Sequence, residues 1–174
     1  MAKSPKKTVA ASQVRMNELV MPNDTNPLGK LMGGKLMQWM DICAAISAQK
    51  HCNRNVVTVA VDSVEFVNAA AIGDLVVIEG EVTRAFRTSM EVEMRVWAEN
   101  LRTGSKRLCT TSYHSFVAVD ADGNPVPVPE IIPETATEKE RYQKAEERRN
   151  KRLEHSRDVR EMARKFDVDE GDTI

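Results

Sequence analysis

The sequence contains no apolar run close to the roughly 20 residues that a helix needs to cross a bilayer, so it predicts no transmembrane segment. Its amino end, residues 1–7, is basic, but no apolar stretch follows, which argues against a secretory signal. We therefore expect a cytoplasmic protein.

Cysteine is also scarce: there are three copies, at Cys43, Cys52 and Cys109. An odd number without paired metal-ligand spacing argues against a disulfide framework or a zinc site, and it favours buried thiols in a reducing compartment. Because the three histidines are scattered as well, we expect no metal site and no metal or redox cofactor.

Charge of either sign is not in excess, since the formal net charge is -1 and the predicted pI is about 6.3. Such a chain has no overall field that would gather nucleic acid, and any polyanion must meet a local basic cluster. At 174 residues the chain is long enough for one domain with an appendage. We expect a flexible segment over residues 1–11, one domain over 12–130, and a charged, helical and solvated tail over 131–174.

What the chain does contain is one long apolar helix, predicted from Gly33 or Gly34 to about Lys50 by apolar residues at helical spacing. A helix that is apolar on all sides is normally buried on all sides. This one carries a single carboxylate, Asp41, about two turns from its start.

Predicted strands precede and follow the helix along the sequence. The run 56–61 is continuously apolar and predicts a central strand, whereas 89–99 alternates and predicts a core face opposite a solvated face that bears Glu91 and Glu93. Further strands are predicted over 12–21, 75–84 and 106–119, with short turns between the last four. One strand, one helix and four strands favour an α+β fold with an antiparallel sheet curled around the helix.

Asp41 suggests chemistry because a carboxylate in apolar surroundings can act as a general base. Upstream, Gly33 and Gly34 would leave backbone N–H groups free at the positive end of the helix, where an oxyanion could be held. A structural role, in which Asp41 bonds a neighbouring strand or subunit, is an equal alternative on these residues alone.

The combined motif resembles the hotdog-fold acyl-CoA thioesterases, in particular the YciA-like and cytosolic acyl-CoA hydrolase branch. The resemblance covers about residues 12–130 and lies in Met21-Pro22-Asn23-Asp24-Thr25-Asn26, Gly29, Gly33-Gly34-Lys35-Leu36-Met37-Gln38-Trp39-Met40-Asp41, residues 56–62, Phe66, Gly73-Asp74, Thr88-Ser89-Met90 and residues 116–120. It implies a sheet of about six antiparallel strands around the helix, a dimer with one continuous sheet, and often a trimer of dimers, which is a hexamer.

The resemblance also implies site residues between two protomers. Asp41 matches a catalytic aspartate that acts as a base toward water or as a nucleophile, and Asn26 matches a polar residue supplied across the interface. Gly34, with Gly33 as the nearby possibility, matches the backbone donor to the thioester oxygen. Direct attack by water and an anhydride intermediate both remain open.

Coenzyme A requires cations for its phosphates. The candidate substrate-binding residues are Arg84, Arg87, Thr88 and Ser89, with Lys106 or Arg107 from another protomer; ordinary surface residues are the alternative for each. Phe86 and Ala69 depart from the family pattern, in which glycine and proline are usual.

We therefore predict an acyl-CoA thioesterase that hydrolyses acyl-CoA to free coenzyme A and a carboxylic acid. A hotdog dehydratase would require a histidine in the motif, and the nearest is His51, beyond the apolar part of the helix. The alternative from another class is an acyl-CoA-binding or sensing protein without catalysis.

Overall fold

The computed structural model describes residues 6–169, with side chains up to Phe166. Its elements are two helices and seven strands within that range: β1 (Lys6–Thr8), β2 (Val14–Leu19), α1 (Gly33–Cys52), β3 (Asn55–Val61), β4 (Asp74–Ala85), β5 (Ser89–Asn100), β6 (Lys106–Val119), β7 (Glu130–Ile132) and α2 (Ala136–Asp169). Short 3-10 helices cover Val9–Ser12 and Pro22–Asp24.

Five strands form one antiparallel sheet in the order β2-β4-β5-β6-β3, and the sheet curls around α1. The predicted α+β arrangement of an antiparallel sheet around a central helix is confirmed. Strands β1 and β7 form a separate parallel pair. Residues 6–11 of the segment expected to be flexible thus lie in β1 and the first 3-10 helix, while residues 1–5 and 170–174 are outside the described range.

Helix α1 packs closely on the inner face of the sheet. Its face with Leu36, Met40 and Ala44 is buried, as its spacing predicts. A Cβ added at Gly80 in β4 would lie 3.0 Å from the Met94 sulfur, tighter than ordinary van der Waals contact. Met94 belongs to the neighbouring strand β5, so the glycine leaves room for the Met94 side chain on the inner face of the sheet.

Two expectations about burial are wrong for the single chain. Met37, Ile42 and Ile46 of α1 are 46 %, 43 % and 38 % exposed, so the helix is not buried on all sides. Strand β3 is an edge strand rather than a central one. Within the described residues, the outer edge of β3 and this side of α1 are therefore not covered by the chain's own sheet.

The outer face of β5 is not solvated either, which is a further correction. Glu91 is fully buried and Glu93 is 8 % exposed, because α2 lies across them and brings Arg141 and Arg148 against their carboxylates. The connection between β3 and β4 also differs from prediction, since residues 62–73 form a long loop rather than a short turn.

Candidate active site

Asp41 lies on α1 where the helix passes β3 and β6. The Thr58 hydroxyl of β3 donates a hydrogen bond of 2.9 Å to its Oδ1, and Nδ1 of His114 in β6 lies 3.9 Å from the same oxygen. The Asp41 side chain is 48 % exposed in the single chain. The carboxylate is thus oriented by its own sheet and remains accessible from the side that the chain leaves open.

His114 is a component of the site that sequence reasoning did not assign. Its side chain is 3 % exposed, its Nε2 lies 3.1 Å from the Ser112 hydroxyl, and its Nδ1 has no hydrogen-bond partner within the described residues. Burial lowers the pKa of His114, and the nearby carboxylates of Asp41 and Asp62 offset part of that effect. The ring beside Asp41 is therefore neutral at pH 7.

Thr58 is the second residue that sequence reasoning missed. It is a hydroxyl within a strand otherwise composed of valine and alanine after Asn55. The single hydroxyl in this apolar run is the signal that could have identified it. Its partner is the one carboxylate of α1.

The start of α1 offers free backbone donors. The structure shows no side-chain cap there. A Cβ at Gly34 would meet nothing within 4 Å, whereas one at Gly33 would lie 3.3 Å from the Phe66 ring. These N–H groups stand at the positive end of the helix dipole and can stabilise an oxyanion.

The helix start and Asp41 are too far apart to act on one carbonyl within a single chain. Seven residues separate Gly34 from Asp41, which corresponds to about 10 Å along the helix axis. A reacting carbon must lie about 3 Å from the oxyanion donors and from the attacking group. Within one chain, α1 alone therefore places these two groups at different levels along the helix axis.

Asn26 lies in the turn before α1. Its Oδ1 accepts the N–H groups of Leu28 and Lys30 at 3.0 and 3.2 Å. These bonds fix the turn and leave the amide N–H groups of Asn26 available. Within the described residues Asn26 forms no hydrogen bond with Asp41.

The candidate coenzyme A residues fall into two groups at opposite ends of β5. Arg84, Arg87, Thr88 and Ser89 surround the β4–β5 turn, whereas Lys106 and Arg107 follow the β5–β6 turn. The 12 residues of β5 separate the turns by about 36 Å, so one chain does not bring the groups together.

The cations in these groups differ in their own-chain contacts. Arg84 donates to the Tyr142 carbonyl at 2.9 Å and pairs with Glu146 of α2. Arg107 donates to the Ala69 carbonyl at 2.9 Å and pairs with Asp74. Within the described residues, the exposed Arg87 forms no ion pair, and Lys106 lies 4.6 Å from the Trp97 ring centre. Arg87 and Lys106 are the cations most available to a ligand.

Two further findings concern the described part of the chain. No helix there is long and apolar enough to cross a membrane. The three cysteines are free and buried. Burial raises the pKa of Cys43 to about 12, so this thiol, two residues from Asp41, is not a ready nucleophile.

The antiparallel sheet curls around a helix with free backbone donors at its start and an oriented carboxylate within it. These features are those of a hydrolase that acts on acyl groups. Comparison with known proteins gives the family. The model of the thioesterase superfamily matches residues 28–105. The chain is 41 % identical to YkhA of Bacillus subtilis, an uncharacterized acyl-CoA thioester hydrolase, over 91 % of this chain and 92 % of that protein. The chain belongs to the thioesterase superfamily.

Other relatives differ in size. The chain is 34 % identical to the acetyl-coenzyme A thioesterase of Rattus norvegicus over 85 % of its own length, but it spans only 27 % of the rat protein. Among solved structures, an apo-hexameric acyl-CoA thioesterase matches with a TM-score of 0.84 and 43 % identity, covering 87 % of this chain and 97 % of that one. The hotdog fold is thereby confirmed.

An acyl-CoA hydrolase of Staphylococcus aureus, solved with butyryl coenzyme A, coenzyme A and coenzyme A disulfide, matches with a TM-score of 0.81 and 35 % identity over 91 % of this chain and 99 % of that one. Structures of three mutants of that enzyme match as well. In them an asparagine, an aspartate or a threonine is replaced by alanine.

Proposed function

We propose that this protein hydrolyses acyl-CoA thioesters, so that water adds to the acyl carbon and free coenzyme A leaves as the thiol. The observation that carries the proposal is the Asp41 carboxylate, oriented by Thr58 on the helix that begins at Gly33. In the S. aureus mutants the asparagine precedes the aspartate by 15 residues and the threonine follows it by 17. Asn26, Asp41 and Thr58 have the same spacing here.

In this proposal Asp41 is the base toward water or the nucleophile that forms an anhydride. Thr58 keeps the carboxylate in one orientation, and the N–H of Gly34, with Gly33 beside it, holds the thioester oxygen as it gains charge. Asn26 is the polar residue that orients the water or the carbonyl. The neutral ring of His114 adds no positive charge that would pair with Asp41 and weaken it as a base.

The site is proposed to form in a homodimer. Support comes from the distance of about 10 Å between Gly34 and Asp41 along one helix, and from the unpaired edge and exposed valines of β3. Pairing two β3 edges would give one continuous sheet and bring the helices together around a two-fold axis. A trimer of such dimers is the proposed full assembly, in keeping with the hexameric relative.

Coenzyme A is proposed to lie between the β4–β5 turn of one protomer and the β5–β6 turn of another. Arg87 and Lys106 would meet its phosphates, and Thr88 and Ser89 would bond the pantetheine arm. Arg84 and Arg107 are also proposed to bind the phosphates, after each gives up its ion pair within its own chain. No metal or redox cofactor is part of the reaction, and a cytoplasmic location, supported by the free thiols, belongs to the proposal.

The direct test is thiol release from a panel of acyl-CoAs. Asp41→Asn should lower kcat by about 10²- to 10⁴-fold, the range attributed to a lost general base. Asp122→Asn, in an exposed turn, is the matched control and should retain wild-type turnover. Tight binding of acyl-CoA without turnover by the wild type would instead favour the non-catalytic binding protein.

A further inference from the structure

Helix α2 crosses the outer face of the sheet toward the β3 edge. Arg141 pairs with a glutamate of β4 at 2.6 Å, Arg148 pairs with Glu91 of β5 at 2.6 Å, and Arg152 reaches Asp62, just beyond β3, at 2.7 Å. Because the strand order is β4-β5-β6-β3, each later turn of α2 lies nearer the edge of the sheet.

The helix continues well past Arg152. The 17 residues from 153 to 169 span about 25 Å at 1.5 Å per residue, whereas neighbouring strands lie about 4.8 Å apart. We call residues 153–166 the overhang. Among the described residues no overhang side chain forms a hydrogen bond or ion pair with the sheet, and a groove of about 1060 Å³ separates its first turns from Val59 and Val61. Val159 and Arg160 still line this groove with the chain's own β3, and residues 161–166 extend past it.

The face of α2 that contacts the sheet becomes apolar along the overhang. Arg141, the fully buried Ala145, Arg148 and Arg152 mark this face in steps of three or four residues. Steps of the same size lead to an apolar stripe with exposed fractions of 49 %, 58 % and 69 %, formed by Val159, Met162 and Phe166. Most other overhang residues are charged. A helix built only to be solvated would not need this stripe.

Strand β3 presents a matching surface at the same edge. It pairs only with β6, so one side of its backbone is unpaired within the described chain. Since Thr58 points toward α1, the neighbouring Val57 points to the outer face, where it is 46 % exposed. Val59 is 55 % exposed and lines the groove.

We propose that the overhang of α2 docks on the outer face of β3 in a second copy of this chain. The inference rests on the proposed homodimer and adds a contact to it. In a two-fold dimer that pairs β3 edges, each α2 runs on over its partner's β3, so the contact is made twice. Met162 and Phe166 of one protomer then cover Val57 and Val59 of the other, and Val159 lies between the two β3 strands.

Subunit exchange between differently labelled full-length protein tests the contact. Val159→Asp combined with Met162→Asp should accelerate exchange at least about tenfold, as expected for loss of an apolar interface anchor. Leu153→Asp is the matched control, because Leu153 is 45 % exposed on the same helix but lies about a third to a half of a turn from the stripe. It should exchange like the wild type.

Cross-linking identifies the docking surface. Chains carrying Val57→Cys and chains carrying Met162→Cys, mixed and oxidised, should form a disulfide between the two chains, whereas Leu153→Cys should not replace Met162→Cys. Unchanged exchange together with no cross-link in an oligomeric, active protein overturns this inference alone. A monomeric wild type overturns the proposed dimer as well, and thiol release reports separately on the proposed hydrolase.

Discussion

At the scale of single residues, the orientation of Asp41 depends on one own-chain hydrogen bond, donated by the Thr58 hydroxyl at 2.9 Å. Thr58→Val keeps the shape of the side chain and removes the donor. We expect kcat to fall by about tenfold, the cost of roughly one hydrogen bond to a charged group, with little change in KM. Steady-state kinetics on the best acyl-CoA measures this.

Thr111→Val provides the control, since Thr111 is an exposed threonine of β6. If both variants retain wild-type kcat, Thr58 does not position the carboxylate. If both lose it equally, the effect is a general property of sheet hydroxyls rather than of the site.

The sequence predicts Asp41 and the glycines because they lie in one contiguous motif on one helix. Thr58 and His114 reach Asp41 from two different strands, and their positions depend on strand register, with Thr58 opposite Phe116 and Val61 opposite His114. Register is fixed by packing and by a bulge between Thr58 and Ala60. Local periodicity does not contain this information.

A buried histidine makes stability depend on pH. Burial lowers the pKa of His51, the Pro129 carbonyl at 2.8 Å partly opposes this, and Lys7 adds to the lowering. The unfolded chain therefore takes up a proton near pH 6.5 while the folded chain does not, and stability falls as the pH drops below that value. His114 contributes in the same direction.

Urea unfolding at pH 7.5 and 5.5 should show lower stability at the acidic pH, and His51→Gln, which retains an N–H donor for Pro129, should reduce the difference. His155→Gln alters an exposed histidine of α2 and serves as the comparison. An undiminished pH dependence in His51→Gln would assign the effect to other groups.

At the scale of elements, α2 is attached to the sheet by buried ion pairs as well as by the packing of Tyr142 and Ala145. Glu91 is fully buried and accepts bonds from Arg148, Arg152 and the Thr83 hydroxyl. The alternating pattern of β5 predicted a solvated face at Glu91. Alternation shows which side chains share a face, but it does not show what covers that face. The covering residues lie about 60 positions away, in a segment whose composition is that of a solvated helix.

Removing one member of this cluster should be costly. Among the described residues, Arg148→Met leaves the buried Glu91 with Arg152 as its one cationic partner, and we expect a loss of about 2–3 kcal/mol in the free energy of unfolding. Lys144→Ala breaks an exposed pair with Glu140 on the same helix and should cost much less, because solvent screens that pair. Equal losses in denaturant unfolding would contradict the distinction between the buried and exposed pairs.

At the scale of the whole molecule, three incomplete features lie on the same side of the chain. These are the exposed side of α1, the unpaired edge of β3, and a carboxylate that is 48 % exposed. The continuous apolar run that predicted a central strand is consistent with β3 becoming central when two copies pair their edges. In that proposed dimer the apolar run of β3 would lie between two neighbouring strands.

Mixing two inactive variants tests whether the assembly completes the site. Asn26→Ala and Asp41→Ala protomers should each be inactive, because each removes one residue from every site. If a site takes Asn26 from one protomer and Asp41 from the other, random exchange restores both residues in about one quarter of the sites. Thiol release should then recover to about one quarter of the wild-type rate.

No activity should be recovered if one chain supplies both residues to the same site, because no combination of these protomers then contains an intact pair. Mass spectrometry or differently labelled subunits must first show that mixed oligomers form. Recovery near one quarter fits a site shared by two protomers. In each mixed dimer only one of the two sites then contains both wild-type residues. Activity that stays at the level of the separate variants despite complete exchange would place Asn26 and Asp41 in the same chain's site.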